Sequence, residues 1–206
     1  MLHLYCARVG EQGKDLPLSD YRKERLAGIH KEQLRRQMLT AELLLNRAVQ
    51  NVYPQALLPL HIEKGRGGKP YLTDLPLFFS LSHSGDFVAC AIADFEIGLD
   101  IQCIRPVSIP LVHRFFSEAE LSRLQKSEHP DELFSLFWSL RESYWKATGR
   151  GLTGVLNVAV YENENGFGIS GFPDIRFWTE IENAFVLALC TLNGQEPKPD
   201  RIEVNV

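Results

Sequence analysis

Residues 77–106, LFFSLSHSGDFVACAIADFEIGLDIQCIRP, decide the fold. Three short apolar runs in this segment are separated by HSGD (83–86) and ADFE (93–96), which both have the composition of turns. The segment therefore predicts three consecutive β-strands. The third run, IGLDIQCI (97–104), has a carboxylate, Asp100, between aliphatic residues.

Asp100 is out of place in an apolar strand. Because side chains alternate along a strand, Gly98, Asp100 and Gln102 share one face, while Leu99 and Ile101 share the opposite, core-facing side. Burying an ionised carboxylate costs on the order of several kcal/mol unless other groups compensate it. Two interpretations of Asp100 stay open. One is a structural salt bridge or capping bond, and the other is a ligand site. Gly98 on the same face predicts room for a ligand to approach.

Upstream of this segment, the sequence predicts one strand followed by helix. Residues 2–9 alternate as a strand, and helical spacing predicts a helix from Ser19 to Val52 that ends before Pro54. Residues 19–36 have a net charge of +3, although the whole chain of 206 residues has −4. A basic patch on an acidic chain fits a compact polyanionic ligand and argues against a nucleic-acid partner.

Downstream, a helix start and a long helix precede a series of strands. Ser117 with Glu120 forms a capping-box pattern. Pro130 in the first turn and Gly149 just beyond the end bound a helix over 130–148. Five strand-like runs follow: VLNVAVY, FGISG, IRFWT, AFVLALCTL and RIEVNV. Helices do not alternate regularly with strands, so we expect an α+β protein with two α+β halves, residues 1–105 and 106–206.

The 130–148 helix has a polar stripe that contains Glu142 and Lys146. These residues are four apart and therefore lie on one face of the helix. A solvated ion pair is one interpretation. The alternative is half of a metal–phosphate site, because aromatic residues leave little of this helix for solvent, namely Phe134, Trp138 and Trp145.

Other motifs exclude several classes of protein. SLSHSGD (80–86) lacks the GxSxG pattern of a serine hydrolase, and GRGGKP (65–70) lacks the spacing of a Walker phosphate loop. No apolar run approaches the roughly 20 residues of a membrane helix. The first residues lack the pattern of a secretory signal. The four widely spaced cysteines predict reduced thiols and a cytoplasmic protein.

In this order and spacing, the motifs resemble those of the Sfp-type 4′-phosphopantetheinyl transferases. The resemblance rests on GKP (68–70), SLSHSGD (80–86), GLDIQ (98–102), FFSEAEL (115–121) and FWSLRESYWKATGRGL (137–152). It implies a pseudo-dimer of two similar α+β halves with coenzyme A bound between them. It also implies Mg²⁺-dependent transfer of the phosphopantetheine arm to a serine of an apo acyl or peptidyl carrier protein, with release of adenosine 3′,5′-bisphosphate.

By position, the resemblance implies that Asp100 and Glu142 bind the metal. It also implies that Glu142 is the base that accepts the serine proton. It assigns Lys146 to the pyrophosphate. Many members have Glu where Gln102 stands, so Gln102 either binds the ion itself or leaves that place to a water. If the base in such members is that Glu, its role here falls to Glu142 or to a metal-bound water. Arg141 replaces a frequent lysine and keeps the charge.

The remaining family assignments concern coenzyme A. Lys69 and Pro70 match the loop at the adenine end, and Ser82 and His83 match contacts to the phosphates. The basic segment 22–36 matches the grip on the 3′-phosphate, in a register that leaves three candidates, Arg22, Arg25 and Arg36.

The pseudo-dimer further implies a monomer, while apolar run length and net charge predict no membrane or nucleic-acid partner. Residues 111–126 are a candidate docking segment for an acidic carrier protein. Two alternatives remain at this point. One is an inactive relative that binds coenzyme A or a carrier protein without transfer. The other, from the residues alone, is a Mg²⁺-dependent nucleotide phosphohydrolase.

Overall fold

The computed structural model describes residues 1–10, 16–107, 109–150, 158–164 and 166–205. Its helices are α1 (Asp20–Ala27), α2 (Glu32–Val52), α3 (Ile109–Phe115), α4 (Glu118–Lys126) and α5 (Pro130–Thr148). Its strands are β1 (Leu2–Arg8), β2 (Ile62–Lys64), β3 (Pro70–Leu72), β4 (Phe78–Ser84), β5 (Phe87–Ala93), β6 (Ile97–Cys103), β7 (Val160–Asn163), β8 (Gly166–Ile169), β9 (Arg176–Ile181), β10 (Phe185–Thr191) and β11 (Asp200–Glu203).

Two sheets form the centre of the molecule. One has the order β11-β1-β5-β4 and the other has the order β6-β10-β9, while β2-β3 and β7-β8 are separate hairpins. One apolar cluster lies between the two sheets and contains Ala91 of β5, Leu99 of β6 and Leu187 of β10. The outer face of the first sheet packs on α2, and the outer face of the second packs on α5. The alternation of side chains along each central strand therefore supplies both an inner and an outer core.

The three predicted strands of residues 77–106 are confirmed as β4, β5 and β6. Gly85, in the first turn, has a φ of 55°, a conformation that glycine adopts without the penalty of a Cβ atom. Leu99 and Ile101 are buried on the inner side of β6, as the alternation predicted.

The predicted single helix from Ser19 to Val52 is wrong, because the segment forms two helices. Ser19 is the N-cap of α1, and Gly28 ends that helix with its backbone N–H on Leu26 O. Arg35 of α2 then donates to the carbonyl oxygens of Leu26 and Ile29. These bonds satisfy carbonyl groups at the end of α1 and set the turn between the helices.

The predictions for the second half are confirmed where the structure describes it. The helix spans Pro130–Thr148, and its C-cap Gly149 is in the left-handed conformation. The capping box at Ser117 and Glu120 is present. Strands occur in all five predicted runs, although residues 155–157 of the first run and residue 206 of the last lie outside the described part.

Two α+β units in one chain are consistent with this topology, while the boundary at residue 105 stays a prediction. Strand pairing crosses that point in both directions. β6 joins β10 in the second sheet, and the C-terminal strand β11 runs parallel to β1 in the first. The site therefore forms where segments distant in sequence are interleaved.

Two further observations concern the helices and the cysteines. None of the helices in the described ranges is long and apolar enough to cross a membrane. All four cysteines are free, and Cys6, Cys90 and Cys190 are buried, as predicted for reduced thiols, while Cys103 is half-buried.

Candidate active site

The site begins with the close approach of α5 to β6. A Cβ atom on Gly98 would lie 1.9 Å from the Ser143 carbonyl oxygen and 2.4 Å from the Ala147 nitrogen. The room predicted beside Gly98 is therefore taken by the helix backbone, and the expectation of a ligand there is wrong. The missing side chain instead lets α5 pack directly on β6, which brings Glu142 and Lys146 to the face of the strand that carries Asp100.

Asp100 is 5% exposed, and two groups bind one of its carboxylate oxygens. Lys146 Nζ donates to Asp100 Oδ1 at 2.7 Å, and Ser82 Oγ donates to the same oxygen at 2.8 Å. Lys146 Nζ also donates to Ser82 Oγ at 2.8 Å. Within the described residues, the buried Oδ2 of Asp100 has no hydrogen-bond partner. A buried carboxylate oxygen without a partner is costly, and a cation would compensate it.

Serines of β4 fix the position of the Asp100 strand. Ser80 Oγ accepts from Leu99 N at 2.9 Å, and Ser84 Oγ accepts from Cys103 N at 3.0 Å. Together with Ser82, these side chains occupy every second position of β4 and so lie on one face of it. They link the edge strands of the two sheets through side chains and hold β6 in register at the site.

Glu142 is the second carboxylate of the site. Burial, followed by the negative charge of Asp100, raises the pKa of Glu142 to about 7, and the positive charge of Lys146 opposes this shift. The effect of Asp100 on Glu142 places the two carboxylates in one electrostatic environment. The solvated Glu142–Lys146 ion pair, one of the two interpretations of this helix face, is not among the ion pairs of the described residues, and the Lys146 ammonium binds Asp100 instead.

A cavity of about 700 Å³ extends from these carboxylates to the helices of the first half. Its lining includes Asp100, Gln102, Glu142, Lys146, Trp138, Trp145 and Gly149 from β6 and α5. The rest comes from the first half and includes Tyr21, Arg22, Arg25, residues 67–70 and residues 79–83. The cavity thus brings together ten of the eleven residues proposed from the sequence, and the exception is Arg36.

The basic end of the cavity is built on α1. Arg22 Nε forms a buried ion pair with Glu42 at 3.1 Å, and Glu42 also accepts from Ser19 N. Arg25 donates to Tyr21 Oη at 2.7 Å and lies over the Tyr21 ring. These contacts hold two guanidinium groups at the cavity wall, where they favour an anion.

Arg36 lies apart from this cluster. Its Nε contacts Gly10 O at 3.4 Å, and the residue does not line the cavity. Of the three arginines that the sequence left open, Arg22 and Arg25 line the cavity and Arg36 does not.

His83 lies between the basic and the acidic ends and lines the cavity. Burial, followed by the positive charges of Lys146, Arg22 and Arg25, lowers the pKa of His83, while Asp100 opposes the shift. The imidazole is therefore neutral at pH 7 and can donate one hydrogen bond and accept another.

Lys69 lines the cavity, but its ammonium group is already bound to protein. Nζ donates to Ala147 O at 2.9 Å and to Ile97 O at 3.2 Å, and it also contacts Glu96. Lys69 therefore ties the glycine-rich loop to the last turn of α5. Pro70 begins β3 beside it and also lines the cavity.

The donor set fits Mg²⁺. Its members are a buried, partnerless oxygen on Asp100, the carboxylate of Glu142 and the amide of Gln102, whose Nε2 donates to Cys103 O at 3.1 Å. In the described ranges, no group of three or more His, Cys, Asp and Glu side chains could hold a metal ion. Two carboxylates nevertheless suit Mg²⁺, which usually keeps several waters and also binds substrate phosphates.

Sequence reasoning missed two buried ion pairs. Arg141, fully buried, donates to both carboxylate oxygens of Glu120 at 2.6 Å, and Glu120 also accepts from Val160 N. From the sequence, Glu120 was predicted only as part of the capping box at Ser117. The Arg22–Glu42 pair gave no signal either, since its members are twenty residues apart. Serine at every second position of 80–84 was the one local signal for the link between β4 and β6.

Comparison with known proteins agrees with the geometry. The family model described as 4′-phosphopantetheinyl transferase superfamily matches residues 96–190. A 4′-phosphopantetheinyl transferase of Bacillus subtilis is 38% identical over 174 residues, which cover 78% of this chain and 75% of that protein. The 4′-phosphopantetheinyl transferase Sfp of Bacillus subtilis strain 168 is 31% identical over 82% of this chain and 79% of its own length. A 4′-phosphopantetheinyl transferase of Bacillus pumilus is 31% identical over 76% of this chain and 71% of that protein.

With relatives above 30% identity over more than two thirds of their length, the chain belongs to the 4′-phosphopantetheinyl transferase superfamily. The family named from the sequence motifs is confirmed, and so is the α+β fold class.

Proposed function

We propose that this protein transfers the 4′-phosphopantetheine arm from coenzyme A to a serine of an apo acyl or peptidyl carrier protein and releases adenosine 3′,5′-bisphosphate. The observation that carries the proposal is the continuous cavity from two arginines to two carboxylates and a lysine. Coenzyme A has the matching charges, a 3′-phosphate at one end and a pyrophosphate further along.

The basic end receives the adenosine part. Arg22 and Arg25 bind the 3′-phosphate, because their guanidinium groups are fixed at the wall by Glu42 and Tyr21. His83, held neutral between the two ends, donates to a phosphate oxygen. Pro70 and the backbone of residues 67–69 contact the adenine end, while the ammonium of Lys69 holds the loop on α5.

The acidic end promotes the reaction. Asp100 and Glu142 would hold Mg²⁺, with Gln102 or a water as a further ligand. Bound Mg²⁺ supplies a Lewis acid for the pyrophosphate oxygens. Lys146 neutralises further charge on the pyrophosphate, and Ser82 orients Asp100 through the 2.8 Å hydrogen bond.

The transfer forms one bond to phosphorus and breaks another. The carrier serine Oγ forms a bond to the phosphorus that bears the pantetheine oxygen, and the bond from that phosphorus to the bridging oxygen breaks. The bridging oxygen leaves with adenosine 3′,5′-bisphosphate. Glu142 accepts the serine proton. In the metal-free site its pKa is about 7, and a base with a pKa near the working pH is effective.

The carrier protein docks on α3 and α4, the helices of the predicted docking segment 111–126. The exposed side chains of these helices include more basic than acidic groups, among them His113, Arg114, Arg123 and Lys126. Such a surface complements an acidic carrier protein.

We further propose that the protein is a monomer, because both walls of the cavity come from one chain. We also propose that it works in the reducing cytoplasm, where free cysteines persist.

An intact-mass assay tests the proposal. The protein is incubated with coenzyme A, Mg²⁺ and an apo carrier protein, and the carrier is expected to gain one phosphopantetheine only when all three are present. Coenzyme A binding without a mass gain would identify an inactive relative, and phosphate release without a carrier would identify a hydrolase. Either result would overturn the proposed function.

A further inference from the structure

We infer that Lys146 occupies the metal site of the ligand-free enzyme, so that a divalent cation binds tightly only when an incoming pyrophosphate draws the ammonium group away. This inference rests on the proposed function, because it concerns the order in which the metal and coenzyme A bind.

The geometry around Asp100 carries the inference. Lys146 Nζ makes short contacts with both Asp100 Oδ1 and Ser82 Oγ. The Lys146 ammonium therefore already occupies the position at this carboxylate that a metal ion would take. A divalent ion on either oxygen of Asp100 would lie within a few ångströms of the Lys146 ammonium, and like charges at that distance repel strongly inside a protein.

Burial makes the competition strong. The side chain of Asp100 is 7% exposed and that of Lys146 is 29% exposed, so solvent screens the contact poorly. With Lys146 in place, the two carboxylates, when both are ionised, present one net negative charge to an incoming ion. Without it, they present two.

A pyrophosphate changes this balance. Its oxygens offer Lys146 an alternative anionic partner in the same cavity, and movement of the ammonium towards them frees Asp100 Oδ1. Metal and pyrophosphate then bind with positive coupling, since each favours the arrangement in which Lys146 has left Asp100.

The test measures Mg²⁺ binding in the absence of coenzyme A, by calorimetric titration of the whole chain with MgCl₂. Lys146→Met, which keeps an unbranched side chain and removes the charge, is expected to tighten Mg²⁺ binding at least tenfold over the wild type. Lys23→Met is the matched control, because exposed Lys23 pairs with Asp20 and lies outside the cavity lining. The control is expected to bind Mg²⁺ as the wild type does.

A second variant locates the gain. In the double variant Asp100→Asn/Lys146→Met, the tighter binding is expected to disappear. Lys146→Gln repeats the test if the methionine variant does not fold. Equal Mg²⁺ affinity in the wild type and the folded Lys146 variant would overturn the inference, and so would a gain that survives loss of Asp100. These outcomes are separate from the mass assay, because a wild type that transfers no arm still gives a readable metal titration.

Discussion

Gly98 and Ala147 are in backbone contact across the interface of β6 and α5. A Cβ atom at residue 98 would lie 2.4 Å from the Ala147 nitrogen, closer than real Cβ atoms approach. This contact sets the distance between the strand that carries Asp100 and the helix that carries Glu142 and Lys146. The precision of the site therefore depends on a residue without a side chain.

Gly98→Ala is expected to push α5 away from β6 and to lower the free energy of unfolding by about 1–3 kcal/mol, the usual range for overpacking a core. Transfer is expected to fall as well, because a shift of about 1 Å in a catalytic group is costly. Urea denaturation and the mass assay measure the two effects. Gly28→Ala is the control, since a Cβ atom at Gly28 meets no atom within 4 Å. Equal stability of both variants would show that the helix can shift freely.

The sequence singled out Asp100, Glu142 and Lys146 because each had a local signal, whereas the other candidate residues came from the family resemblance. Asp100 stood in an apolar strand, and Glu142 and Lys146 shared a face of a buried helix. The partners of these groups could not be predicted from spacing. Lys146 lies one helical turn from Glu142, yet it binds Asp100, because the packing of α5 at Gly98 brings a buried carboxylate within reach. Lys69 likewise matched a ligand loop but donates to carbonyl groups at the end of α5.

Loss of either carboxylate is expected to abolish transfer. Asp100→Ala and Glu142→Ala should each reduce the rate at least about a thousandfold, which corresponds to about 4 kcal/mol of barrier. The reason is that each removes a proposed metal ligand, and the second also removes the base. Single-turnover transfer, followed by intact mass, measures the loss, with circular dichroism to verify the fold.

Glu132→Ala on the same helix serves as the control for the carboxylate variants, because Glu132 does not line the cavity. It should transfer at close to the wild-type rate. Near-normal turnover in either Asp100→Ala or Glu142→Ala would remove the proposed metal site.

Gln102→Glu is expected to lower the Mg²⁺ concentration needed for half-maximal transfer by about tenfold, since a carboxylate is a better ligand for Mg²⁺ than an amide. The side chain lines the cavity on the same face of β6 as Asp100, and its amide nitrogen is held by Cys103 O. The measurement is a Mg²⁺ titration of the transfer rate, with Gln102→Asn as the neutral control. A large loss of activity in Gln102→Glu would mean that the amide nitrogen itself is required.

The raised pKa of Glu142 predicts a pH dependence of stability in the metal-free enzyme. Between its ordinary pKa of 4.5 and about 7, the folded protein keeps a proton that the unfolded chain has lost. Folding stability must then fall as the pH rises through this window, by on the order of 3 kcal/mol for this group. Below pH 4.5 the penalty from ionised Glu142 is absent, and above about pH 7 it is fully present.

Chemical denaturation in EDTA at several pH values checks this dependence. The difference in free energy of unfolding between Glu142→Gln and the wild type is expected to grow across the window in favour of the variant. A constant difference would show that Glu142 titrates at its ordinary pKa in the folded protein.

Arg25 and Arg36 offer a matched pair for the basic end, because both are α-helical arginines from the same basic segment and only Arg25 lines the cavity. Arg25→Ala is expected to weaken coenzyme A binding about tenfold while changing the affinity for dephospho-coenzyme A little, since only coenzyme A has the 3′-phosphate. Arg36→Ala should leave both affinities unchanged. Calorimetric titrations at two salt concentrations make the comparison sharper, because the wild-type preference for coenzyme A should shrink as salt screens the phosphate contacts. If Arg25→Ala weakened both ligands equally, the 3′-phosphate would have to bind elsewhere in the cavity.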